Sequence, residues 1–165
     1  MGSLTVLALR IVLAMVLAGS LFVQAVMVPL LAADLDGLEP DYAYLRTPLL
    51  AIFVLGIVTV QVTVVCVWRL LTMVRRGTVF SRAAFRHVDI IFGAVVAASL
   101  LTFALGVVLA PGDTVAPGIV LLIGGLGVMV AGGALIVLVL RMLLAQAVAR
   151  DAEAVHLQAE LDEVI

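Results

Sequence analysis

The stretch W-R-L-L-T-M-V-R-R-G-T-V-F-S-R-A-A-F-R-H-V-D, residues 68–89, decides how this chain is organised. It carries Arg69, Arg75, Arg76, Arg82 and Arg86, five of the nine basic residues, and it lies between two long apolar runs. A cation-rich link between apolar runs is the pattern of a loop held on one side of a membrane. The totals agree. The 165 residues are 65% hydrophobic and 12% charged, with a mean hydropathy of +1.36. A soluble domain is nearer about 45–50% apolar, and a small globule cannot hide the excess. The solvent for this chain is therefore lipid, and the class is a single polytopic membrane domain.

Upstream of the Arg-rich stretch, an apolar run extends from Thr47 to Met73. Pro48 sits where the first turn of a helix tolerates it. Gln61 and Thr63 are its few interior polar groups, able to bond across helices or to their own backbone. Before it comes an acidic connection from Asp34 to Arg46, in which Gly37 and Pro40 mark turns and Tyr42 and Tyr44 suit an interfacial belt. Its four carboxylates lack the spacing of a calcium loop, so they read as a solvated surface. The first apolar run, Leu4 to Leu31, is too long for a cleaved leader core and long enough to span with tilt. It is interrupted by Arg10, which can snorkel to the headgroups, and by Gln24, with Pro29 near its end.

Downstream, Ser81 is placed to cap a helix that starts at Arg82, and Arg86 and Asp89, three residues apart, can pair on it. The third run, Val88 to Ala110, holds the small-residue pairs Gly93/Ala97 and Ala94/Ala98, which allow close helix approach. A short loop, 111–117, leads to a fourth run from Gly118 to Leu140. There Gly118, Gly125 and Gly132 recur every seven residues, the spacing of a close-packing seam in a left-handed bundle. The tail is acidic. Its Leu157, Leu161, Val164 and Ile165 fall at i, i+4, i+7 and i+8, an amphipathic stripe that continues the fourth helix.

The expected fold is all-α: a four-transmembrane-helix antiparallel bundle with a helical C-terminal extension. The transmembrane domain covers 1–150, with spans of about 4–31, 47–73, 88–110 and 118–140, and the acidic tail covers 151–165. Because Arg concentrates in the second connection, the positive-inside rule places that connection and both termini in the cytoplasm, in a multi-pass inner-membrane protein.

Chemistry is hard to find. No metal-ligand spacing joins His87, His156 or Cys66. One thiol inside an apolar run permits no internal disulfide and behaves as a small hydrophobe. The serines have no activating base nearby in sequence. No enzyme, cofactor or metal is expected. The middles of the four runs are uncharged, whereas ion pathways carry ionisable groups there. The Arg loop reads first as a topogenic signal touching anionic lipid, worth about 1 kcal/mol per cation, and second as a docking surface. Direct nucleic-acid contact so close to a bilayer is not expected. The acidic tail is repelled by an anionic leaflet, so its apolar stripe calls for another surface: a second subunit, a soluble partner or the base of the bundle.

Four stretches then carry a resemblance: V-M-V-P-L-L-A-A-D (26–34), L-R-T-P-L-L (45–50), W-R-L-L-T-M-V-R-R-G-T-V-F-S (68–81) and A-E-L-D-E-V-I (159–165). In order and spacing the chain resembles an uncharacterised four-helix bacterial membrane family, a domain-of-unknown-function family typified by YoaS, and especially its actinobacterial members. The R-x-G-x-x-F core of that resemblance falls on Arg75, Gly77 and Phe80. No catalytic activity is implied. Members are often encoded beside a small Cro/C1-type helix-turn-helix regulator, so the resemblance implies a membrane partner that holds or modulates a transcription factor. The family's terminal pattern maps onto Leu157, Glu160, Leu161, Asp162 and Ile165, with Glu163-Val164 departing from the common Leu-Thr.

The expected function is a non-enzymatic membrane regulator or anchor. Its partner surface is Arg69, Arg75, Arg76, Gly77, Phe80, Arg82 and Arg86 together with the tail residues just named. Helix packing is assigned to Gly93, Ala97, Gly118, Gly125 and Gly132, and a homo-oligomer is compatible with this reading. The alternatives are a small transporter or channel component, with Gln24, Gln61, Thr63 and the Gly118/Gly125/Gly132 face lining a path, and a structural accessory subunit of a larger membrane complex.

Overall fold

The computed structural model describes the backbone of residues 3–37, 40–75, 82–111 and 115–164, and side chains within 4–37, 43–74, 85–111 and 115–159. It is all-helical over these residues. Helix α1 covers Ser3–Phe22 and passes through a π-helical turn, Val23–Met27, into α2, Val28–Asp36. A 3-10 turn at Pro40–Leu45 leads to α3, Arg46–Arg75. Helix α4 covers Arg82–Leu109 and α5 covers Pro117–Val164. Four of the resulting helical rods are long and apolar enough to cross a membrane, which makes this a four-helix membrane bundle.

Their sequences explain the lengths. Few of the residues between the turn signals break a helix, and the lipid leaves the backbone no partner but itself. The hydroxyls follow the same rule. Thr59 donates to the Gly56 carbonyl at 2.7 Å, Thr63 to Thr59 at 2.8 Å and Thr102 to Ala98 at 2.8 Å. Thr63 thus bonds within its own helix rather than across helices.

The first span departs from the expected boundaries. It continues past Leu31 to Asp36, although Pro29 lacks the N–H that an α-helix would use. The π turn just before it absorbs the defect: the Val28 N–H reaches back to the Val23 carbonyl, five residues away. The helix ends at Gly37, whose N–H donates to the Asp34 carbonyl at 3.2 Å. The acidic connection is correspondingly shorter and is partly a 3-10 turn, anchored by the buried Leu45. Pro48 falls in the first turn of α3 and α4 begins at Arg82, both as the sequence predicts. Ser81, its expected cap, lies outside the described residues.

Packing is strongest between helices adjacent in the chain: α4 lies against both α3 and α5, and α1 and α2 lie against α3. Val64, Cys66, Ala94, Ser99 and Ala134 form the buried centre. The large aliphatic side chains point outward, among them Leu121 at 79% exposure and Leu122 at 73%. In water such a surface would be untenable; facing lipid it is the expected solvent boundary.

Helix α5 is the longest element. Its 48 residues reach about 72 Å at 1.5 Å per residue, against a hydrocarbon thickness of about 30 Å. It extends well beyond any bilayer that α3 and α4 span.

Candidate functional site

The arginines gather at one end of the bundle. Arg69 near the end of α3 and Arg86 near the start of α4 are exposed. Arg75 is the last residue of α3 and Arg82 the first of α4. Arg76, Gly77 and Phe80 lie outside the described residues, and so does most of the R-x-G-x-x-F core. At the same end, the Arg10 guanidinium donates to the Thr72 hydroxyl at 3.3 Å, and that hydroxyl donates to the Trp68 carbonyl at 3.0 Å. The stem of Arg10 therefore ties α1 to α3 where both helices reach the interface.

Asp89 does not serve Arg86 as its helix partner. It faces α5, where Arg141 grips it with two nitrogens: Nε lies against Oδ1, and Nη2 donates to Oδ2 at 3.1 Å. Spacing along α4 made Arg86 the expected partner, but a cation 52 residues away is brought closer by packing. This pair also locates the tail. Since Arg141 is level with Asp89, the part of α5 beyond it leaves the bundle at the Arg-bearing end. The opposite end carries Asp34, Tyr44 and an ion pair between Asp36 and Arg46 at 2.7 Å.

Beyond Arg150 the helix is exposed along its described side chains. Every described residue from 151 to 159 is exposed, including Val155 at 61% and Leu157 at 53%. Glu160, Leu161 and Asp162 continue the helical backbone, and Ile165 lies outside the described residues. The tail stripe and the Arg-bearing end are thus brought to one end of the molecule, without a contact between them among the described side chains.

Gln61 and Ser99 make polar contacts that cross between helices inside the span. Gln61 on α3 donates through Nε2 to Gln24 Oε1 at 2.9 Å, and Gln24 sits in the π turn. Ser99 on α4, buried, donates to the Gly127 carbonyl on α5 at 3.0 Å. Beside it the Phe103 ring lies 3.1–3.2 Å from where a Cβ on Gly127 would stand. Gly127 is therefore the glycine that permits close approach.

This corrects the expected packing residues. A Cβ added at Gly93, Gly118, Gly125 or Gly132 would meet nothing within 4 Å, so none of the four sets a helix spacing within the chain. Ala97 is half-buried, and the fully buried member of the neighbouring small-residue pair is Ala94. The seven-residue period on α5 is real, but its inner register is Gly127, Ala134 and Arg141. Gly125 precedes Gly127 by two residues, about 200° around the helix, and so faces away. In a helix that is apolar all round, pattern cannot show which face is inside. The available signal was Arg141, whose charge demands an acidic partner and so turns its own face toward Asp89.

Grooves run along the helices, three of them lined by described residues. One of about 400 Å³ lies between the first span and α3, lined by Val23, Met27, Leu30, Phe53 and Ile57 with Asp34 at its edge. The other two, about 330 Å³ and 240 Å³, lie between α3 and α4, the smaller extending to Val130 of α5, and have predominantly apolar walls. Among the described residues no group of three or more His, Cys, Asp or Glu is placed to hold a metal ion.

Comparison with known proteins gives one match: the family model described as "Protein of unknown function (DUF2975)" covers residues 30–165. No curated protein and no solved structure matches the chain.

Proposed function

The chain belongs to the DUF2975 family of proteins of unknown function, and from that premise we propose that it is a non-enzymatic membrane anchor or regulator. Its Arg-bearing end and acidic tail hold a small cytoplasmic helix-turn-helix regulator. The observation that carries this reading is the second half of α5. A helix that leaves the bilayer beside the Arg-bearing end, with every described residue from 151 to 159 exposed, presents a surface rather than completing a core. A solitary helix of such length is marginal in water, so a bound partner supplies what the bundle does not.

Charge supports the same arrangement. The Arg residues of the second connection favour the cytoplasmic side, and the tail follows them because Arg141 and Asp89 meet at that end. The inner leaflet attracts the arginines and repels the acidic tail, which keeps the tail available to soluble protein. The class of partner comes from the gene neighbourhood implied by the resemblance to the YoaS-type family.

The transport reading draws less support. Gln24 and Gln61 are bonded to each other, Thr63 is bonded to its own helix, and Gly118, Gly125 and Gly132 face away from the other helices. These residues do not share one path.

Affinity purification of the full-length chain from membranes, with and without residues 151–165, tests the proposal. Recovery of a helix-turn-helix protein with the full chain and its loss on truncation is the expected result. Equal recovery from both would remove the tail's role, and recovery from neither would overturn the reading.

A further inference from the structure

The outward face of α5 carries a second seven-residue pattern, distinct from the one that packs on α4. Stepping alternately four and three residues from Leu122 leads through Leu126, Met129, Ile136 and Leu140, all of them exposed to solvent or lipid. The same steps, carried past Leu143 and Ala147, reach Ala154, Leu157, Leu161 and Val164 in the tail. The stripe runs through 43 residues of one unbroken helix without a change of register, about 63 Å from end to end. This is the a/d pattern of a two-stranded coiled coil.

We propose that this stripe is the seam of a parallel homodimer, in which α5 of one copy packs along α5 of a second copy from inside the membrane to the end of the tail. Continuity selects the occupant. Lipid matches the membrane half of the stripe only, and a soluble protein matches the tail half only. A single partner that covers the whole stripe is a helix that spans the bilayer and continues into water in the same register and for the same length. A second copy meets this by identity, and two copies inserted by the same charges run parallel.

Neighbouring positions single out this seam. Leu121, Val128, Leu135 and Met142 form another exposed row within the membrane, but that row becomes His156 and Glu163 in the tail. The row Ala131, Leu138, Ala145, Ala152 and Ala159 also stays apolar but is almost entirely alanine, whereas the Leu122–Val164 row carries large apolar side chains in both solvents. Its exception is Arg150, which in a parallel pair meets Arg150 of the other copy, a repulsion that the flanking Asp151 of each copy offsets. Gly118, Gly125 and Gly132 flank the seam, and Gly133 lies within it. A Cβ at any of these meets nothing inside the chain; they leave the backbone open to a closely approaching helix. The seam takes up Leu157 and Leu161, so only the acidic face of the tail, with Glu160, Asp162 and Glu163 outside the a and d positions, stays open to a soluble partner.

Single cysteines placed in the full-length Cys66→Ala chain test the seam by oxidative crosslinking in native membranes. Leu140→Cys and Leu157→Cys lie on the stripe; Leu135→Cys and Ala152→Cys are equally exposed but off it. Crosslinked dimer should be about ten-fold more abundant at the two stripe positions, since a disulfide forms only when Cβ atoms come within a few ångströms. The Cys66→Ala chain without added cysteine should have the mass of two copies in mild detergent. Equal yields on and off the stripe, crosslinking at Leu140→Cys without Leu157→Cys, a monomeric mass, or crosslinks at Leu157→Cys to a different protein would each overturn the proposal.

Discussion

The two faces of α5 contain the same kinds of residue and behave differently. On the inner face, Gly127 is overlain by the Phe103 ring and accepts a hydrogen bond from Ser99. On the outer face, Gly118, Gly125 and Gly132 have nothing within reach. Lipid removes the usual distinction between an apolar inside and a polar outside, because hydrocarbon is as apolar as leucine. What separates the faces is therefore geometry and the few polar groups: a ring on a missing side chain, a hydroxyl on a carbonyl, Arg141 on Asp89.

The sharpest way to break this contrast is to add bulk to each face. Gly127→Leu should destabilise the bundle by about 2–3 kcal/mol, because the new side chain collides with an aromatic ring in a packed contact. Gly125→Leu should leave the fold of the single chain within about 0.5 kcal/mol. Thermal unfolding in detergent, followed by circular dichroism, compares them. Equal effects would mean that α4 does not contact the face containing Gly127.

Ser99→Ala is a finer cut at the same place. Loss of one interhelical hydrogen bond within a membrane costs about 0.6–1.7 kcal/mol, and the same unfolding measurement reads it. The first span offers a comparison of similar size. Gln24→Leu or Gln61→Leu strands one amide, for a loss of about 1 kcal/mol, and the double substitution should cost less than the sum of the two. A strictly additive result would contradict the pairing.

These contacts mark what was legible in the chain. Four spans follow from length and hydropathy alone, and the α4 start at Arg82 was visible from Ser81 and the helical spacing beyond it. Gln61 and Gln24 stood out because amides in lipid need partners. The inner register of α5 did not, because leucine, valine and glycine surround the axis and leave pattern no contrast; only Arg141 interrupts it. Asp89 was assigned to Arg86 by local spacing, whereas its partner comes from another helix. The π turn was hidden too, since Pro29 announces a defect but not how the chain accommodates it. The Arg-rich link, so plain in sequence, falls largely outside the described residues at Arg76, Gly77 and Phe80.

The smallest expected effect belongs to Arg141 and Asp89. Both side chains are more than a third exposed, so solvent screens the pair and its contribution is about 0.5 kcal/mol or less. Arg141→Gln should lower stability slightly at low salt, and the difference should vanish near 1 M salt, where the screening length is about 3 Å. A salt-independent loss would point to packing by the arginine stem instead.

The claim on which the functional reading rests is that the long outer half of α5 emerges into the cytoplasm beside the arginines. It is tested most directly with one cysteine, Ala152→Cys in a Cys66→Ala chain, and a membrane-impermeant maleimide. Labelling in inverted vesicles with none in intact spheroplasts is the predicted result. Labelling of intact spheroplasts, or a cysteine protected in both until detergent is added, would contradict it.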